Sequence, residues 1–253
     1  MSSRPSQATS AKYAPPLTPP GTRLYAIGDI HGRVDLLGRM HQLIQDDMAA
    51  NPRDRQVIVY LGDYIDRGPD SAEVIELLLR SPVPGCQAVH LLGNHEDSLL
   101  RFLDDVEVGS AWLYYGGIAT LVAYDIDVGE YPWRNEIEMM RLQAELRRRL
   151  PARHRRFLQG LPLSHTEGDF MFVHAGVRPG VPLDRQVRED VLWIRDEFLA
   201  SPADHGKIVV HGHTISPDPE NLSNRIGIDT GAYATGRLTC LVLDGASRSF
   251  MGT

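Results

Sequence analysis

Three apolar runs in the chain each end in Gly followed by side chains able to bind metal: Gly28-Asp29-Ile30-His31-Gly32, Gly62-Asp63-Tyr64-Ile65-Asp66-Arg67-Gly68 and Gly93-Asn94-His95-Glu96. Two later runs end in His174-Ala175-Gly176 and His211-Gly212-His213-Thr214. A lone Gly-Asp is ordinary turn chemistry, and a lone His after an apolar run is usually a satisfied structural histidine. Independent turns do not account for the same pattern at five successive strand-like runs. Oxygen and imidazole donors without thiolate suit Mn²⁺, Fe²⁺ or Zn²⁺ and not a structural cysteine-zinc site. Asp, His, Asp, Asn, His and His are more ligands than one open catalytic ion needs. Two ions sharing a carboxylate fit, and such pairs, about 3.5–4 Å apart, activate water for in-line attack at phosphorus.

To act together these residues must share one rim, which is what the carboxyl ends of strands in an open α/β sheet provide. Strands are expected at about 23–28, through Val57-Ile58-Val59-Tyr60-Leu61 and through Ala88-Val89-His90-Leu91-Leu92. A helix carrying Val34, Leu37, Met40, Leu43 and Ile44 at helical spacing lies between the first two. Another, with Val74, Leu77 and Leu78, is opened by the capping-box-like pair Asp70 and Glu73. That alternation means right-handed crossovers and a parallel sheet. Residues from about 97 to 160 read as an inserted helical cap, interrupted by Gly116-Gly117 and Pro132. Short strands return at 170–173, 208–210, 225–228 and 238–243, close enough together for an antiparallel or mixed second sheet.

At 253 residues, 42% hydrophobic, the chain suffices for one α/β domain with a real core, and its composition excludes coiled coil, collagen and wholesale disorder. No apolar run reaches the roughly 18–20 residues of a membrane-spanning helix. Residues 1–22, with Pro15-Pro16 and Pro19-Pro20 and no apolar stretch, read as a flexible tail and not a secretory signal, leaving 23–253 as a single domain. Cys86 and Cys240 cannot form a disulfide framework, which points to a reducing cytoplasm. The net charge of −7 argues against a nucleic-acid partner. Of 26 basic residues only Lys12 and Lys207 are lysine. The cluster Arg147, Arg148, Arg149, Arg153, Arg155 and Arg156 reads as a solvated helix face, with a docking surface for acidic or phosphorylated substrate as the other reading.

Gly-Asp-x-His-Gly, Gly-Asp-x-x-Asp-Arg-Gly and Gly-Asn-His-Glu, in that order over about residues 23–245, resemble the calcineurin-like metallophosphoesterases, and among them the bacterial branch of the phosphoprotein phosphatases. The resemblance implies a β-sandwich of two mixed sheets flanked by helices. It implies that Asp29 and His31 hold a first metal, that Asp63 bridges both, and that Asn94, His174 and His213 complete the second. Mn²⁺ is the first choice of ion, with Fe or Zn as other fits. His95 resembles the general acid, Asp66 its orienting carboxylate, and Arg67 a phosphate clamp whose planar fork matches phosphate oxygens. Arg195, after Leu192-Trp193-Ile194, resembles the second clamp. His211 is left out of the ligand set. Tyr233 lies where relatives carry a substrate-facing tyrosine, but Asp229-Thr230-Gly231 departs from their pattern and leaves it unassigned.

The expected activity is hydrolysis of phosphoserine or phosphothreonine in proteins or peptides by direct attack of a metal-bridging water. Asp66 and Glu96 favour it over the nearest alternative, a symmetrical bis(5'-nucleosyl)-tetraphosphatase. The segments Tyr115–Leu121 and Asp229–Gly231 resemble that alternative. A phosphodiesterase is disfavoured because Ile215 stands where a further histidine ligand would follow Thr214, and a non-catalytic scaffold because all six ligands are present.

Overall fold

The structure, a computed structural model, describes residues 15–80, 83–129 and 135–253; Pro132, expected to interrupt the cap, lies outside them. The chain runs β1 (Thr22–Ile27), α1 (Val34–Ala50), β2 (Arg55–Tyr60), α2 (Ser71–Leu79) and β3 (Gln87–His90). A helical stretch follows: α3 (Asn94–Asp104), α4 (Gly109–Trp112), α5 (Ile118–Ala123), α6 (Glu136–Arg149) and α7 (Ala152–Gln159). Then come β4 (Ser164–Glu167), β5 (Phe170–Val173), α8 (Arg188–Trp193), β6 (Ile208–His211), β7 (Glu220–Asn221), β8 (Arg225–Gly227), β9 (Thr239–Asp244) and β10 (Ser247–Gly252). Among the described residues no helix is long and apolar enough to cross a membrane.

Two mixed five-stranded sheets form, ordered β10-β9-β1-β2-β3 and β4-β5-β6-β8-β7. The strands β1, β2 and β3 are parallel, as are β5, β6 and β8. The sequence places 238–243 in the second sheet, but β9 pairs antiparallel with β1, Arg23 opposite Asp244 and Ile27 opposite Cys240. Its alternation explains the choice: Leu241 and Leu243 enter the layer between the sheets, while Cys240 and Val242 join the helix-covered face of the first. Residues 15–21, expected in the tail, lie against the sandwich, where Thr18 N donates to Gly245 O and Asp169 N to Leu17 O. Asp70 precedes α2 as expected but forms no side-chain cap bond. In the arginine cluster Arg148 and Arg149 pair with Glu145 and Arg153 with Glu76, while Arg147 Nε donates to Leu103 O.

Three apolar layers stack through the molecule. Leu24, Ala26, Val57, Val59, Phe170, Phe172, Val210 and Ile226 fill the space between the sheets. Tyr25, Ile27, Ile58 and Tyr60 point the other way, against Leu37, Met40, Ile44 and Val74 of α1 and α2. Met171, Val173 and Val209 meet Leu192 of α8 and Phe198 beyond it. The central strands are thus covered on both faces, which is why they read as continuous apolar runs. Their carboxyl ends all emerge at one edge of the sandwich.

In the second of these layers the Tyr60 hydroxyl meets His41 Nε2 at 2.9 Å, and His90 stacks on the Tyr60 ring at 4.7 Å. Burial lowers the His41 pKa from 6.5 to about 4, with His90 adding to the effect. In the unfolded chain a histidine takes up its proton near its ordinary value, so between those values the unfolded state binds more protons and stability rises with pH. By this linkage His41 alone contributes about 2 kcal/mol of the stability lost between pH 7 and pH 5. Urea midpoints at the two pH values check this: the loss should be smaller by about that amount in His41→Gln, and an equal loss in both proteins contradicts it.

Candidate active site

The loops after β1 and β2 are zipped together by their backbones. Ile30 N and His31 N both donate to Asp63 O, at 3.0 and 2.8 Å, and Gly32 N donates to Tyr64 O at 2.8 Å. The chain turns sharply enough there that His31, Asp63, Asp66, Arg67 and His213 all have positive φ. Non-glycine residues adopt that region rarely and at a cost on the order of 1–3 kcal/mol each. The strained β2 loop is buckled by Glu96 of α3. Its Oε2 accepts from Asp63 N at 2.8 Å and Gly93 N at 3.0 Å, and its Oε1 from Tyr64 N at 2.8 Å and Ile65 N at 3.2 Å. Gly93 must be glycine, because a Cβ there would strike both Asp63 and Glu96.

Asp63 sits at the centre, buried to 2% exposure. Its Oδ2 lies 3.5 Å from His31 Nε2 and 3.8 Å from His95 Nε2, while Oδ1 lies 3.5 Å from His174 Nε2. Two donor groups result, His31-Asp63-His95 and Asp63-His174-His213, each with its donor atoms within 4.8 Å of one another. Burial opposes the Asp63 charge, but His174, His95, His31 and His213 outweigh it and hold the carboxyl well below its usual range. Burial also lowers His31 to about 3 and His213 to about 2, so both imidazoles are neutral and free to donate lone pairs.

Tautomers are set from behind. The acceptor Ile65 O lies 2.8 Å from His31 Nδ1, and Leu61 O lies 2.9 Å from His174 Nδ1, which puts the protons there and turns each Nε2 lone pair inward. Asn94 Oδ1 then stands 2.8 Å from His174 Nε2 and 2.9 Å from His213 Nδ1. Two lone pairs facing each other at that distance need a cation between them or a proton on one. His213 Nε2 is buried without a partner among the described residues. Asp29 lies at the side of this group, its two oxygens accepting from His213 N at 3.2 and 3.0 Å. Burial, Asp229 and Asp63 push its carboxyl well above its usual range. The donor chemistry fits two divalent cations, with the sequence-expected ligands from all five strand ends at one place.

His95 Nδ1 lies 2.6 Å from Asp66 Oδ2. Burial works against its charged form, but Asp63 and Asp66 together raise its pKa above 6.5. Asp66 is held by the cap: Trp112 Nε1 donates to Oδ2 at 2.8 Å, and Thr120 Oγ1 donates to Oδ1 at 2.5 Å. Arg67 reaches His31 Nε2 at 3.0 Å and His95 Nε2 at 3.2 Å, and its guanidinium lies 4.8 Å over the Tyr233 ring. Its backbone N donates to Gly116 O, where φ is +124° and a Cβ would collide with the Arg67 side chain. Arg195 stands on the His213 side of the rim, Nη1 donating to Thr214 Oγ1 at 3.2 Å. A cleft of about 380 Å³ opens beside Asn94 and His95, walled by Trp112, Tyr115 and Trp193.

Every residue of the expected site thus converges on this rim. His211 turns away, edge-on to Phe198 at 5.1 Å. Trp112, Thr120 and Glu96's role as a strut were not legible beforehand. Tyr233, left unassigned, packs edge-on to His31 at 5.4 Å.

The family model of the calcineurin-like phosphoesterases matches residues 22–240. Among curated proteins the chain is similar to the asymmetrical bis(5'-nucleosyl)-tetraphosphatase PrpE of Anoxybacillus flavithermus, 29% identical over 235 residues, 85% of this chain and 88% of that protein. The protein of the same name from Bacillus subtilis is 27% identical, over 84% and 87%. Among solved structures it is similar to one provisionally described as a diadenosine tetraphosphatase, with TM-score 0.58 and 22% identity over 93% of this chain and 96% of that one. A cold-active protein tyrosine phosphatase matches with TM-score 0.55 and 15% identity over 92% and 81%. At those identities the structural likeness is one of fold.

Removing the Glu96 strut should unmake the rim. In Glu96→Ala, buried N–H groups of Asp63, Tyr64, Ile65 and Gly93 lose their acceptor, each at a cost of about 1–3 kcal/mol. Denaturation of the metal-free protein should show a loss of at least about 3 kcal/mol, and metal analysis a lowered Mn²⁺ content. Wild-type stability and metal uptake would show that Glu96 is no strut.

Proposed function

The chain belongs to the calcineurin-like phosphoesterases, a family of metal-dependent hydrolases, and on that premise we propose that it is a phosphomonoesterase acting on phosphoserine and phosphothreonine in proteins or peptides. The observation that carries this reading is the His95–Asp66 pair, buried and fixed by two side chains of the cap. A serine or threonine alkoxide is a poor leaving group and needs a proton as the P–O bond breaks. A nucleotide leaving from a polyphosphate is a weak base and departs without one. A dedicated, rigidly oriented acid is therefore most useful on an alkyl phosphate.

In this reading Asp29, His31 and Asp63 hold one divalent ion, and Asp63, Asn94, His174 and His213 the other, with Mn²⁺ the first choice and Fe or Zn also suited. Ions bound there supply Lewis-acid stabilisation of phosphoryl charge and activation of water. Arg67 grips phosphoryl oxygens with its planar fork, braced by Tyr233 beneath it. Arg195 would do the same from the His213 side. His95 delivers its proton from Nε2 to the leaving oxygen, and Asp66 keeps the ring aimed. The substrates are phosphorylated chains in the cytoplasm, with neither nucleic acid nor membrane as partner.

One observation favours a second reading, hydrolysis of dinucleoside tetraphosphates: the PrpE relatives carry that name over most of their length. They are described as asymmetrical, so the products separate the variants of this reading. Asymmetrical cleavage gives ATP and AMP, and symmetrical cleavage gives two ADP.

His95→Asn leaves all six proposed ligands in place, so metal content should stay at the wild-type level. Turnover of phosphoserine peptide should fall by about 10²–10⁴-fold, the typical worth of a general acid. The loss should shrink for p-nitrophenyl phosphate, whose leaving group needs little protonation. Equal losses on both substrates, or loss of metal, would remove His95 from the acid's role.

A further inference from the structure

The loop after β8 brings another carboxylate to the rim. Asp229 is two residues beyond the strand that pairs in parallel with β6, so it emerges at the same edge as His213. Its own backbone is tied down: Ser216 N donates to Asp229 O at 3.0 Å, and Ile228 N before it donates to His211 O at 3.0 Å. Its Oδ1 accepts from Gly231 N at 2.9 Å. The other oxygen, Oδ2, is buried and has no hydrogen-bond donor among the described residues. The side chain is 3% exposed and lies among Asp29, Asp63 and Arg67. Asp29 is itself 2% exposed, and its two oxygens accept from the backbone N–H of His213.

Adjacent carboxylates taken out of water strongly disfavour each other's charge unless a cation lies between them or near both. The unpartnered oxygen belongs to a side chain close enough to Asp29 and Asp63 for their charges to act on one another. We propose that Asp229 is a further metal-holding residue, lending its carboxylate to the ion on that side, and this rests on the two-metal reading above. With it the two sites differ in kind. The Asp29 side offers three carboxylates and one imidazole, whereas the Asn94 side shares Asp63 and offers one amide oxygen and two imidazoles. Hard, oxygen-preferring Mn²⁺ suits the first, and more nitrogen-preferring ions such as Zn²⁺ suit the second.

The probe is Mn²⁺ titrated into the metal-free full chain by calorimetry, with thermal unfolding measured before and after loading. Asp229→Asn keeps the volume and the Oδ1 acceptor for Gly231 N while removing the charge. It should weaken one of two Mn²⁺ sites by about 10–100-fold, the usual range for groups supporting a metal site, and leave the other nearly unchanged. The metal-free variant should be at least as stable as metal-free wild type, because a repulsive buried charge is gone, yet gain less on loading. Asp229→Glu, which restores the charge, should recover most of the lost affinity. If Asp229→Asn binds both ions as wild type does, or weakens both sites equally while destabilising the metal-free protein, Asp229 has no such role. If wild type itself fails to bind two ions, it is the two-metal reading that falls.

Discussion

A carboxylate stripped of water survives as a charge only where cations, dipoles or donors surround it closely, and Asp63 is such a carboxylate at the geometric centre of this rim. Four imidazoles lie around it and hold its proton off. Each of those imidazoles comes from a different strand end, so their convergence requires two parallel triplets of strands with carboxyl ends facing one way. The backbone of Asp63 supports the loops as directly as its side chain supports the ligands. Its carbonyl takes two N–H groups from the β1 loop, and its N–H binds Glu96. Positive φ at His31, Asp63, Asp66, Arg67 and His213 is strain that the surrounding sheet and struts must overcome. A divalent cation pair would return part of that cost by neutralising the buried charges.

The cap holds the carboxylate that contacts His95 in a fixed place. Trp112 and Thr120 hold both oxygens of Asp66, and Gly116 O holds the backbone of Arg67. The insertion therefore fixes residues of the rim as well as covering it. It also forms one wall of the cleft beside His95. On a polyphosphate substrate, whose leaving group departs as a weak base, a proton held by the His95–Asp66 pair would not be needed.

The strand ends were legible because a side chain able to bind metal, with Gly within two residues of it, recurs at each. The helical faces of α1 and α2 were legible from apolar spacing in the same way. What escaped the sequence depends on contacts between distant residues. Trp112 and Thr120 reach Asp66 across 46 and 54 positions and look locally like core residues of a helix. Glu96 reads as a motif residue, yet its work is to accept backbone donors some 31–33 positions away. The β9 strand was assigned to the wrong sheet because its nearest neighbours in sequence are not its neighbours in space: it pairs with β1, at the opposite end of the chain. Asp229 lay inside a motif that departs from the pattern of the resembled family, and only burial and an unpartnered oxygen single it out.

The central claim is that this rim is built to cleave an alkyl phosphate ester with acid assistance. Its most direct test is the ratio of kcat/KM for a phosphoserine or phosphothreonine peptide to that for diadenosine tetraphosphate, measured on the same Mn²⁺-loaded protein with products identified. The account predicts a ratio above one by at least about tenfold, or roughly 1.4 kcal/mol of transition-state binding, with inorganic phosphate released from the peptide. Faster cleavage of the dinucleotide, with ATP and AMP or ADP as products and the peptide left phosphorylated, would contradict it.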